Sequence, residues 1–236
     1  MSALRRFAAA VQRDEIALDE VALLIGAWDE DVDVDGGRRA LDELAARTRA
    51  ERARLGDVPW AGARAVARTL FADLGFRGNT ADYYDPKNSF LHQVLARRTG
   101  IPITLSVLYM EVARRVGVPA TGVGLPGHFL VRVDEPPRPL IVDPFHAGAE
   151  LDAAAIEELL HRVVGPDARL EPEMLAPVAT ARILMRVLVN LAGIYGQRGD
   201  WFRSLEVLER LALLDPDNAR IARDLASLRD KVADLN

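Results

Sequence analysis

The sequence predicts an α+β protein: an N-terminal helical layer, a small antiparallel sheet and a C-terminal helical tail. Three observations carry that expectation. Apolar residues recur at helical spacing up to about Val116, the period switches to alternation between Thr121 and Asp143, and helical spacing returns after Pro177.

In chain order, Phe7, Val11, Ile16, Leu18, Val21, Leu24 and Ile25 predict a helix over Met1–Ala27, interrupted by Trp28-Asp29-Glu30-Asp31 and the Gly36-Gly37 pair. A second helix is expected from about Gly37 to Leu55 and a third over about Ala61–Asp73, with Val58-Pro59 between them. Gly75–Ser89 has no period and is dense in Gly, Asn, Asp, Tyr and Pro. A loop of that length inside a compact domain is usually functional or disordered, and Phe76, Tyr83 and Tyr84 argue for order. Ser89 is the expected cap of a helix over Phe90–Arg98. After Gly100-Ile101-Pro102 comes a strongly apolar helix, Ile103–Val116, which Gly117 and Pro119 stop.

Thr121–Leu125, His128–Val133 and Leu140–Asp143 read as strands, with Asp134–Pro139 as a turn, and Ala153–Val163 reads as a helix. Ala179–Gln197, Trp201–Leu213 and Asn218–Ala233 are the expected tail helices. Pro166–Pro177 is the natural boundary, giving a core over 1–165 and a tail over 178–236 packed on it.

Composition excludes several chemistries. A chain of 236 residues, half of them apolar and 28% charged, suits a globular protein able to bury a core without staples. It holds no cysteine, which removes disulfides, thiolate nucleophiles, cysteine zinc sites and iron–sulfur clusters together. A net charge of −5 offers no basic field for nucleic acid or anionic lipid. The longest apolar stretches, Val21–Gly26 and Ile101–Leu105, fall well short of the roughly 18 residues that span a bilayer. The opening MSALRRFAAAVQRDE turns charged too soon for a signal peptide, so the cytoplasm is the expected compartment. No cofactor is expected, since Gly122-Val123-Gly124 precedes no helix and no Walker or dinucleotide glycine pattern is present.

The residues that could carry chemistry lie on the predicted hairpin. If Val133 pairs with Arg138, then His128 lies opposite Asp143 on the same face, roughly 5 Å apart between Cβ atoms. A carboxylate there would fix the imidazole tautomer and raise its basicity, the orienting half of a nucleophilic triad. A buried pair that only staples two strands would show the same spacing. The hydroxyls available to complete a triad are Thr104 and Ser106. Ser106 lies a full turn inside an apolar helix, the position of a core or back-bonding serine rather than of an activated nucleophile.

His146 follows Asp143-Pro144-Phe145 and could rim the same pocket, whereas His92 and His161 fall on charged helices and read as surface residues. His128, Asp143 and His146 are metal-ligand types, but no short-spaced His-x-x-x-His pattern exists, and no metal site is expected. The acidic run Asp29, Glu30, Asp31, Asp33 and Asp35 lacks the spacing of a calcium loop and reads as solvated.

Longer motifs add a resemblance. Asn190-Leu191, Tyr195, Gly199-Asp200, Leu205, Leu214 and Pro216 are spaced as in a tetratricopeptide unit, although one unit and a helix are too few for a free-standing solenoid. Tyr84-Asp85-Pro86-Lys87-Asn88-Ser89-Phe90-Leu91, Arg98-Thr99-Gly100-Ile101-Pro102-Ile103-Thr104-Leu105-Ser106, Gly127-His128-Phe129-Leu130-Val131-Arg132 and Val142-Asp143-Pro144-Phe145 resemble the bacterial SirB-like branch of the transglutaminase-like superfamily. Members join a papain-like core to a tetratricopeptide-like tail.

The resemblance implies a catalytic cysteine at the start of the core helix, followed by histidine and aspartate on adjacent strands. His128 and Asp143 match the latter two. Counting back from Gly117, the cysteine position falls near Pro102, which has no nucleophile. The expected protein is therefore a pseudoenzyme: a cleft with His128, Asp143, Pro102 and Ser106 at the degenerate site, lined by Tyr84, Asn88, Thr104 and His146, that binds an unidentified protein, peptide or ligand. The alternative is a hydrolase or acyltransferase using Ser106 or Thr104 with His128 and Asp143. A third reading is a structural module in which the pair only holds the hairpin.

Overall fold

The computed structural model describes residues 2–234, in which helices pack on both faces of an antiparallel sheet. Met1 of the predicted first helix and the last two residues of the predicted tail lie outside the described residues.

The single helix expected over Met1–Ala27 is two, α1 (Ala3–Val11) and α2 (Leu18–Leu24). A continuous helix would put Asp14 on the stripe shared by buried Phe7 and Val21, because seven residues make nearly two turns. The chain breaks instead, and Arg13 bridges the gap to Glu20 at 2.7 Å.

Helix α3 (Val34–Leu55) starts upstream of the expected Gly37, since Asp33 caps it by accepting the Gly36 N–H at 2.8 Å. Gly36-Gly37 is thus a point of contact and not a break. A Cβ on Gly37 would meet Leu23 of α2 at 2.6 Å. Helix α4 (Ala61–Ala67) runs on as a π-helical turn over Arg68–Asp73.

The loop that follows is ordered. Strand β1 (Arg77–Gly78) pairs in parallel with β2 (Thr99–Gly100), and a 3₁₀ turn over Pro86–Ser89 leads into α5 (Leu91–Arg97).

Helix α6 (Pro102–Arg115) is the centre of the molecule, buried at every position from Pro102 to Ala113. An apolar run on all sides requires a helix surrounded by protein, and α2, α3 and the sheet surround it. Pro102 opens it at a position where a missing N–H costs nothing.

Strands β3 (Ala120–Leu125), β4 (His128–Val133), β5 (Leu140–Asp143), β6 (Ala149–Leu151) and β7 (Pro177–Val178) form one antiparallel sheet in the order β6-β5-β4-β3-β7. Alternation sorts β4: Phe129, Val131 and Val133 join the core around α6, whereas Leu130 joins Val123, Leu125, Ile156 and Leu159 on the other face, under α7 (Ala153–Val164).

The last three helices are α8 (Thr180–Arg198), α9 (Trp201–Leu214) and α10 (Ala219–Ala233). Leu184, Leu188 and Leu191 of α8 share one apolar cluster with α6 and with Phe7 of α1. Asn190 donates to Ser89 at 2.9 Å, and Arg203 of α9 pairs with Asp29 at 2.6 Å. Among the described residues, no helix is long and apolar enough to cross a membrane.

Asp19 ties three elements together. It is 1% exposed on α2 and accepts from Arg38 of α3 and Arg115 of α6. Burial opposes its ionisation, but the Arg115 hydrogen bond and the charges of Arg38 and Arg115 outweigh it and hold the carboxyl below its usual range. A depressed folded pKa contributes stability above the unfolded value of about 3.9, lost as pH falls through the folded pKa. Asp19→Asn should therefore cost about 3 kcal/mol at neutral pH, and the difference from wild type should shrink below about pH 4. Urea midpoints across pH check this. A gap independent of pH contradicts it.

Candidate functional site

The β3–β4 hairpin closes through Pro126-Gly127, with Gly127 at φ +65°, and it presents His128 at the first position of β4. Asp143 ends β5. The register differs from the expected one by two residues: Val133 pairs with Leu140, not Arg138, so Asp143 falls diagonally from His128. The turn claims the extra residues because α4's neighbourhood holds it. The Trp60 indole N–H donates to the Arg138 carbonyl at 2.7 Å, and Glu135 accepts the Ala63 N–H at 2.9 Å. A shift of two preserves the face, and His128 Nε2 still lies 2.9 Å from Asp143 Oδ2.

Asp143 is 2% exposed and fully used. Its Oδ2 also meets His146 Nδ1 at 2.7 Å, while Oδ1 accepts the N–H groups of Phe145 at 3.0 Å and His146 at 3.3 Å. Burial opposes its ionisation, but the hydrogen bonds from His128 and His146 prevail and hold the carboxyl below its ordinary range. Facing that carboxylate, a neutral His128 carries its proton on Nε2, and Nδ1 is left as an acceptor. Among the described residues Nδ1 has no hydrogen-bond partner.

His128 borders a cleft of about 360 Å³ together with Tyr83, Tyr84, Pro102, Ile103 and Arg186. Pro102 thus opens the central helix within the same cleft as the histidine. The two candidate hydroxyls are committed elsewhere. Thr104 Oγ1 donates to the Asn88 carbonyl at 2.7 Å and accepts the Ile101 N–H at 3.1 Å. Ser106, fully buried a turn deeper, donates to the Phe129 carbonyl at 3.4 Å. Neither hydroxyl bonds to His128 among the described residues, and serine- or threonine-dependent hydrolysis draws no support from this arrangement.

Tyr84 is exposed on the cleft wall, and His146 stands behind His128, their rings 5.7 Å apart. Asn88 does not line the cleft. It lies wholly buried beneath the loop, where it accepts from Asn79 and donates to the carbonyls of Asp82 and Tyr83. Away from the site, His161 Nε2 meets the Ala168 carbonyl at 2.9 Å, and His92 is largely covered, 2.7 Å from Glu30.

Arg186 escaped the sequence reading. It reaches from α8 to donate to the carbonyls of Leu125 and His128, and it forms no ion pair among the described residues. Burial pushes its pKa down, the mark of a cation short of compensating charge. The available signal was Gly122-Val123-Gly124: a Cβ at Gly122 would meet the Phe129 ring at 2.7 Å, and one at Gly124 would meet Arg186 at 2.9 Å.

A buried helix opening at a cleft, then histidine and aspartate on neighbouring antiparallel strands, is the arrangement that the resemblance implies. A sequence model described as the transglutaminase-like superfamily matches residues 37–189, and the chain belongs to that superfamily. A UPF0162 protein of Xylella fastidiosa is 40% identical over 163 residues, covering 68% of this chain. The chain spans 58% of that relative's length. A UPF0162 protein of Pseudomonas aeruginosa is 34% identical over 205 residues, covering 86% of this chain and 74% of that protein. F-box only protein 21 of Mus musculus is 34% identical over 143 residues, covering 57% of this chain and 22% of its own. No solved structure matches the chain.

Proposed function

We propose that this chain is a non-catalytic transglutaminase-like protein of the SirB-like branch, a cytoplasmic module whose former active-site cleft binds peptide. The observation that carries the reading is the pairing of Pro102 with His128 in one cleft of a chain without cysteine. A base and its orienter with nothing to deprotonate retain geometry but lose the nucleophilic step. What remains is an aromatic and aliphatic groove between the core and α8, the first helix of a tetratricopeptide-like tail.

The groove also has a charge preference. Among the described residues, Arg186 is the one Lys, Arg, Asp or Glu that lines it and has no carboxylate partner, so an apolar peptide carrying an acidic group complements it. Dodecapeptides selected by phage display on the wild-type chain should share apolar residues around Asp or Glu. The selected peptides should bind about tenfold more weakly to Arg186→Gln and to Tyr84→Ala, a loss of about 1.4 kcal/mol each. Fluorescence anisotropy with the labelled peptides measures this. Peptide hydrolysis or amine incorporation abolished by His128→Ala would overturn the reading, as would selected peptides indifferent to both wall substitutions.

A further inference from the structure

The same hairpin holds a second constellation, on the side of His128 that faces away from its unpartnered nitrogen. His128 Nε2, Asp143 Oδ2 and His146 Nδ1 all lie within 4.8 Å of one another. Two imidazole nitrogens approach one carboxylate oxygen, at 2.9 and 2.7 Å. We propose that these three side chains form a binding site for a divalent transition-metal cation of the zinc type.

The chemistry of the donor set argues for such an ion. Two imidazoles with one carboxylate suit zinc and its first-row neighbours, whereas magnesium and calcium prefer all-oxygen shells. Three protein ligands also leave a coordination position open to water.

The support around the ligands is that of a built site. The other oxygen of Asp143 is pinned by the backbone N–H groups of Phe145 and His146, so the carboxylate cannot swing away. Phe145 packs edge-on against both imidazoles, with centroids 6.0 Å from His128 and 5.2 Å from His146. Two ligands are buried, but the His146 side chain is 55% exposed and gives an ion a path from solvent.

Without metal, each ring donates an N–H to the shared oxygen. Coordination requires each neutral imidazole to move that proton to its opposite nitrogen, with no net proton lost. On His146 the proton moves to Nε2. On His128 it moves to Nδ1, which turns from acceptor to donor. Metal binding is thereby linked to the polarity of the peptide cleft, although the site itself stands whether or not a peptide binds.

The chain suits a clean test, because it has no cysteine and only four histidines. Untagged protein stripped with chelator is titrated with cobalt(II), read by its visible absorption, and the cobalt is then displaced with zinc(II). The proposal predicts one cobalt per chain and a rise in Tm with zinc. His146→Ala should weaken cobalt binding by more than about tenfold, and its exposed side chain makes loss of the fold no concern. His161→Gln, at a histidine outside the cluster, should leave binding unchanged. Absence of a cobalt band at millimolar metal would overturn the proposal, and so would binding that His146→Ala does not weaken.

Discussion

Asn88→Ala should destabilise the chain by about 3 kcal/mol, since burying polar groups without partners costs about 1–3 kcal/mol each. Asn88 is 0% exposed, and its side chain is the hub of the loop that follows β1. Its Oδ1 accepts from Asn79 at 3.0 Å, and its Nδ2 donates to the carbonyls of Asp82 at 2.8 Å and Tyr83 at 3.2 Å. Truncation leaves the Tyr83 carbonyl and the Asn79 amide without their partner and the Asp82 carbonyl with the Asp85 N–H alone, in a segment with few ladder bonds of its own. Asn88→Asp would fare no better, because it keeps the acceptor, loses both donors and buries a charge. The consequence reaches the cleft, whose wall Tyr83 and Tyr84 belong to this loop. Urea unfolding gives the magnitude, and cleavage by a protease within residues 79–89 shows where the structure opens. A loss under about 1 kcal/mol would mean that water replaces the network at little cost.

Legibility in the sequence followed the range of the interaction. Helix α6 was readable because burial on all sides leaves a predominantly apolar run, interrupted only by Thr104, Ser106 and Glu111 before Arg114, and because Gly117, at φ +70°, supplies the left-handed residue that ends it. The faces of β4 and β5 were readable because a strand's side chains alternate strictly, so His128 and Asp143 could be placed on one face. Their register was not, because Trp60 and Glu135 act on the turn from outside it. Strands β6 and β7, three and two residues long, are too short to show alternation.

The acidic run shows the same limit. Asp29, Glu30 and Asp33 read as solvated, yet each has a specific partner: Arg203, His92 and the first turn of α3. Arg210 is the extreme case. It is a charged residue on α9, wholly buried with its guanidinium 4.4 Å above Trp28. No local pattern reports a cation that an aromatic ring from a distant segment accommodates. The contact between His146 and Asp143 arose from a turn closed by Asp143's own oxygens, which spacing alone does not distinguish from a pocket rim.

The central claim is that Pro102 stands where the superfamily's nucleophile would stand, beside a histidine still poised to activate it. Pro102→Cys tests it in one step, because the new thiol is the only one in the chain. At the first position of α6 the thiolate would face the helix's unpaired N–H groups and the positive end of its dipole, with His128 across the cleft. Such surroundings lower a cysteine pKa from about 8.5 to about 7.5 or below. Iodoacetamide rates followed across pH should therefore titrate below about 7.5 in the folded chain and near about 8.5 in denaturant. Adding His128→Ala should move the folded value upward. A thiol that titrates at its ordinary value and ignores His128 would show that the cleft never held that geometry, and the reading of this protein as a degenerate transglutaminase-like site would fall with it.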